Sequence, residues 1–133
     1  MIKVEHIGIA VDDESEAQEL FNKLFDRSAY KEEKVESEGV NTLFYDLGQT
    51  KIELLAASSE DSAIDKFVKK KGSGIHHIAF EVDDIEYEMK RLQDEGFQLI
   101  NKEPKKGADN KVICFLHPKS TGGVLVELCQ EIK

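Results

Sequence analysis

Two histidines and two glutamates recur in this chain at matched places. His6-Ile7-Gly8-Ile9-Ala10-Val11-Asp12-Asp13 realigns on His77-Ile78-Ala79-Phe80-Glu81-Val82-Asp83-Asp84 at an offset of 71 residues. Lys51-Ile52-Glu53-Leu54-Leu55 realigns on Leu125-Val126-Glu127-Leu128-Cys129 at an offset of 74. Each half thus carries a histidine followed by a glutamate, 47 residues on in the first copy and 50 in the second. Two imidazoles and two carboxylates form a full protein ligand set for one divalent ion. With one or two waters completing an octahedron, such donors suit nickel, cobalt or manganese better than a closed tetrahedral zinc site. The competing explanation, four unrelated polar residues on outer sheet faces, would require the same coincidence twice in register.

The elements that must position these residues can be read from periodicity. Met1 to Val11 alternates as a strand. Asp12-Asp13-Glu14-Ser15 then offers a cap for an amphipathic helix to about Phe25, with Ala17, Leu20, Phe21 and Leu24 at helical spacing. Tyr30 to Val35 reads as an edge strand, and Val40 to Leu47 with Lys51 to Leu55 reads as a hairpin across Gly48-Gln49-Thr50. Ile64, Phe67 and Val68 predict a short helix started by the 58–62 cluster. Ile75 to Val82 is a strand, and Asp83 or Asp84 caps a helix bearing Ile85, Met89 and Leu92. Phe97 to Ile100, Lys111 to Leu116 and Gly123 to Cys129 are expected as three further strands, with loops at Pro104 to Asn110 and His117 to Gly122. The organisation is a βαβββ module over residues 1–57, a helical bridge over 58–74 and a second βαβββ module over 75–133, within one compact α+β domain.

On a strand, residues two apart share a face. The small Gly8 and Ala79 leave room beside His6 and His77. Glu53 and Glu127 stand within apolar strands, where an uncompensated carboxylate would be costly, so a cation or a cavity must receive them. His76 projects opposite to His77 and reads as structural or solvent-facing. Glu81 shares the face of His77 but lies near the strand end and is left out of the ligand set. His117, Lys119, Ser120 and Thr121 are candidates for substrate contact. Lys105, Lys106, Lys111 and Lys119 could meet an anionic substrate, whereas Lys69-Lys70-Lys71 reads as a solvated helix end.

The net charge of -9 disfavours a nucleic-acid partner, because phosphate binding needs a basic face. No apolar run reaches the ~18 residues of a membrane span, and no signal-peptide core is visible at the N-terminus. Cys114 and Cys129 lie in apolar strand-like runs and read as reduced core thiols of a cytoplasmic protein.

With those residues in view, the chain resembles the vicinal oxygen chelate superfamily, in which paired βαβββ modules form a curved mixed sheet around a metal. The resemblance spans nearly the whole chain and places His6, Glu53, His77 and Glu127 on its four ligand positions. Two branches are similar. The runs Val4 to Val11, Gly74 to Asp84 and His117 to Leu128 resemble methylmalonyl-CoA epimerase. The ligand set resembles bacterial glyoxalase I, the lactoylglutathione lyase, which implies nickel or cobalt, with zinc or manganese as further options. Thr42 occupies the position where some epimerases carry a second basic glutamate, and those proteins have glutamine where Glu53 stands. The glutathione-holding arginine and asparagine of glyoxalases fall on Ala10 and Ala57.

Both branches remove a proton beside a carbonyl or hydroxyl and stabilise the resulting charge through a metal. The resemblance implies that Glu53 and Glu127 are ligands and also candidate proton-transfer bases, Glu127 foremost. Sequestering relatives commonly lack the ligand set, and an iron dioxygenase would leave one of the four positions unused. The expectation is a glyoxalase I acting on a methylglyoxal–thiol hemithioacetal, with methylmalonyl-CoA epimerase acting on a thioester as the alternative. A homodimer is expected, with each metal site built within one chain.

Overall fold

The computed structural model describes residues 1–133. Along the chain the order βαβββ occurs twice, joined by one helix. The first copy comprises β1 (Lys3–Val11), α1 (Glu14–Phe25), β2 (Lys31–Val35), β3 (Val40–Asp46) and β4 (Lys51–Ala57). Helix α2 (Ala63–Lys71) follows. The second copy comprises β5 (Gly74–Glu81), α3 (Ile85–Asp94), β6 (Lys105–Lys106), β7 (Lys111–Leu116) and β8 (Val126–Glu131). The residues group into two compact units, Ile7–His76 on one hand and Met1–His6 with His77–Lys133 on the other, so β1 contributes to both.

Within the Ile7–His76 unit the strand order is β2-β3-β4-β1, with β2–β3 and β3–β4 antiparallel. Period-two alternation sorts the side chains into two faces. Leu43, Tyr45, Leu54 and Ala56 pack with Ala17, Phe21 and Phe25 of α1. Ala10, Val40 and Leu55 pack with Ile64, Phe67 and Val68 of α2. Asp13 caps α1 by accepting the Glu16 N–H, and Ser62 caps α2 by accepting that of Asp65. Gly39, at φ 62°, fits because a side chain there would collide with Ser59.

The apolar spacing of α1 is only half used. Leu20 and Leu24 are 61% and 67% exposed, whereas Ala17 and Phe21 face the sheet. The fully buried Tyr45 donates its hydroxyl proton to Asn22 Oδ1 at 2.6 Å. That bond joins the Phe25–Tyr45 ring contact and the packing of Ala17 and Phe21 on the side of α1 that meets the sheet, and Leu20 and Leu24 fall outside that stripe.

In the other unit β5, β8, β7 and β6 neighbour one another in that order. The β5–β8 pair is parallel, while β7–β8 and β6–β7 are antiparallel, which makes the sheet mixed. Ala79, Ile113, Phe115 and Cys129 group on one face. Val82, Cys114, Leu116 and Leu128 pack with Ile85, Met89 and Leu92 of α3 on the other. Leu128 is fully buried, and its truncation to alanine would cost about 2–5 kcal/mol. Asp84 caps α3, and Gln130 Oε1 accepts the Ile85 N–H at 2.7 Å.

The expected strand at Phe97 to Ile100 is reduced to an isolated bridge between Leu99 and Leu116. Backbone bonds from His117 N–H to Gln98 and from Ile100 N–H to Phe115 flank that bridge, and the ladder goes no further where the Asn101 side chain, rather than a backbone carbonyl, accepts the Phe115 N–H at 2.8 Å. The edge position falls instead to the two-residue β6, inside the segment expected as a loop. Strand β8 begins at Val126 rather than Gly123, because Gly122 and Gly123 turn at positive φ and the Gly123 N–H bonds back to Pro118. Cys114 and Cys129 are both buried free thiols. No helix is long and apolar enough to cross a membrane.

Candidate metal centre

Strands β1, β5 and β8 bring three of the four expected ligands to one point. His6, His77 and Glu127 are each 5% exposed or less. Nε2 of His6 lies 3.0 Å from Nε2 of His77, and Glu127 Oε1 lies 3.2 Å from the latter and 3.8 Å from the former. A circle through those three atoms has a radius of about 2.0 Å, so one ion at the usual ~2.1 Å from nitrogen and oxygen can touch all three. The donors also fit chemically, as two imidazole nitrogens and one carboxylate oxygen suit a first-row divalent ion.

Packing holds the donors in place. The His6 and His77 rings meet edge to face at an interplanar angle of 87°. The Phe115 ring abuts His77 at 5.7 Å between centroids. Glu127 stands opposite Ala79 on β5 and Phe115 on β7, and the fully buried alanine leaves its carboxylate space. Burial pushes the Glu127 carboxyl upward, but the His77 hydrogen bond and electrostatic attraction to the His6 and His77 side chains outweigh it. The group is therefore held below the usual carboxylate range, which favours the ionised form that metal ligation would require.

Glu53 belongs to the Ile7–His76 unit, where it is 5% exposed on β4 opposite Phe44. It shares its sheet face with Leu55 and with the buried Thr42, which pairs with Leu55. His117, Lys119, Ser120 and Thr121 lie in and beside a short 3-10 turn before β8. His117 Nδ1 accepts the Lys119 N–H at 3.1 Å. Ser120 Oγ accepts the Gln98 N–H at 3.1 Å and donates to the His117 carbonyl at 2.9 Å. Thr121 donates to the Val124 carbonyl. The polar atoms of His117, Ser120 and Thr121 thus build the loop, and Lys119 is exposed. His76 packs edge-on against Phe67 at 5.0 Å between centroids. Lys111 is 7% exposed and leans toward Asp109 at 3.5 Å.

Sequence reasoning passed over Glu5. Its Oε1 lies 2.7 Å from His6 Nδ1, and the residue is 2% exposed. Period-two alternation assigns neighbouring residues to opposite faces, which hides a contact between positions 5 and 6. The available signal was an acid directly beside a candidate ligand histidine within a β-rich strand.

Residues 5–115 match the glyoxalase/bleomycin resistance protein/dioxygenase superfamily, and the chain belongs to it. Among its relatives is the mitochondrial methylmalonyl-CoA epimerase of Dictyostelium discoideum, 43% identical over 127 residues, covering 95% of this chain and 76% of the relative. The crystal structure of methylmalonyl-CoA epimerase from Mycobacterium tuberculosis superposes with a TM-score of 0.92 at 32% identity, covering 98% of this chain and 89% of that one. A methylmalonyl-CoA epimerase in complex with methylmalonyl-CoA and NH4+ gives a TM-score of 0.91 at 33% identity, covering 98% and 95% of the two chains.

These relatives overturn the glyoxalase I expectation. The lactoylglutathione lyase reading and its hemithioacetal substrate rested on the glutamate at position 53 and the missing acid at Thr42. Epimerases match nearly the whole chain. Ala10, where the resemblance would seat the glutathione-binding arginine, is fully buried and offers a methyl group alone.

Proposed function

We propose that this chain is an epimerase of methylmalonyl-CoA or a closely similar 2-alkylmalonyl-CoA thioester. The observation that carries the reading is the epimerase likeness across nearly the whole chain, and the buried cluster of His6, His77 and Glu127 supports it. These three residues, with Glu53 as the fourth ligand expected from the internal repeat, hold one divalent ion, cobalt or nickel before manganese or zinc. The bound ion supplies Lewis-acid stabilisation of the negative charge that develops on the substrate oxygens.

The chain's own residues move the proton. An ionised Glu127 takes it from C2, between the thioester carbonyl and the carboxylate, and the C–H electron pair moves onto the carbonyl oxygen. Return of a proton to the opposite face of C2 inverts the centre, so a second acid–base group is required. Glu53 fills that role here. It lies on the same face of the β3–β4 hairpin as Thr42, the position from which some epimerases present their second base. The protein acts as a cytoplasmic homodimer in this reading, and light scattering on the purified protein reports the assembly state.

The direct test follows the C2 proton of methylmalonyl-CoA by NMR in D2O with metal-loaded protein. Deuterium incorporation together with interconversion of the two C2 epimers is the expected result. Absence of both would remove the epimerase reading.

A further inference from the structure

We propose that Glu5 is a positioning residue that sets the tautomer of His6 and thereby prepares its Nε2 for the metal. The inference rests on the reading of His6, His77 and Glu127 as metal ligands. A neutral imidazole carries one ring proton, and only its other nitrogen has a lone pair to give. Glu5 Oε1 lies 2.7 Å from Nδ1 of His6, the length of a charge-assisted hydrogen bond. A lone pair on Nδ1 facing a carboxylate oxygen at that distance would be repulsive, so the proton belongs on Nδ1. Nε2 is then the unprotonated atom, and it points toward Nε2 of His77 at 3.0 Å and Glu127 Oε1 at 3.8 Å.

Burial strengthens the effect. Glu5 and His6 are 2% and 4% exposed, so little water competes for the Nδ1 proton. The carboxylate also makes the imidazole a stronger donor through Nε2 and fixes the rotation of its ring, as outer partners of ligating histidines generally do. In this role Glu5 acts through His6 rather than on the substrate.

Two measurements test this, neither of which uses substrate. Long-range proton–nitrogen NMR of the metal-free protein should show His6 protonated at Nδ1 in the wild type and in Glu5→Gln, whose amide oxygen still accepts that proton. Calorimetric titration with cobalt(II) should show affinity falling about 10–100-fold in Glu5→Ala and by a smaller factor in Glu5→Gln. A wild-type His6 protonated at Nε2, or a folded Glu5→Ala protein that binds cobalt as tightly as the wild type, would overturn the proposal. If Glu5→Ala fails to fold, the wild-type tautomer and the Glu5→Gln titration decide it. A wild type that turns over no methylmalonyl-CoA while both readouts hold would count against the substrate assignment and leave Glu5 in its role.

Discussion

Glu127 is asked to be both ligand and base, and those roles can be separated by one atom. Glutamine keeps the shape and one ligating oxygen but gives up the basic carboxylate. In Glu127→Gln we expect kcat to fall about 100-fold or more while metal content by elemental analysis stays near that of the wild type. His77→Ala should instead lose the metal, and stoichiometric binding in that variant would refute the cluster. Cys114 offers a test on the opposite face of the sheet, against α3. Burial pushes its thiol up, with its contact to the Asn101 backbone offsetting part of the rise. A raised folded-state value means that folding favours the neutral thiol. Its contribution is complete below the unfolded thiol value of ~8.5 and is lost as pH rises toward the folded value. Urea unfolding at pH 7 and pH 10 should therefore show the wild type losing more stability than Cys114→Ala. At this scale His6, His77 and Glu127 were legible because a repeated register on alternating strands has few other uses. Glu5 was not, because a contact between adjacent residues breaks the rule that made the others visible.

The elements were legible where one local signal dominated. Asp13, Ser62 and Asp84 each stand where a cap was expected to start a helix, and each accepts the backbone N–H three residues on. Replacing Asp84 by alanine should cost about 1 kcal/mol and lower the melting temperature by roughly 3–5 °C, measured by calorimetry. The expectation failed where a distant side chain decided the outcome. On α1 the stripe Ala17, Phe21 and Phe25 packs while Leu20 and Leu24 stay exposed, and the Tyr45 hydroxyl on β3 that binds Asn22 on the packed side cannot be read from residues 14–25 alone. Backbone pairing reaches Ile100, whose N–H bonds the Phe115 carbonyl, and the Asn101 side chain takes the Phe115 N–H that would return it, although the Phe97-Gln98-Leu99-Ile100 run alternates as a strand should. Glyoxalase and epimerase also could not be separated by element pattern, since both share the same βαβββ order.

For the whole molecule, ligand provenance is the property that can be tested. His6, His77 and Glu127 converge within a single chain. A mixture of His6→Ala and Glu127→Ala protomers should therefore regain neither metal binding nor activity, and recovery on mixing would mean that sites form between chains. The unit that holds these three residues is also discontinuous, joining Met1–His6 to His77–Lys133 around the intervening Ile7–His76. On a ribosome, Ile7–His76 emerges before His77–Lys133 and can begin to fold as a unit before that later segment exists. His6 leaves the exit tunnel early but must wait for partners 71 and 121 residues downstream before its ring has a place. The nascent chain cannot assemble the cluster until Glu127 has been added. The proposed metal capture then waits for residue 127, and a polypeptide stalled before Glu127 would not reach it.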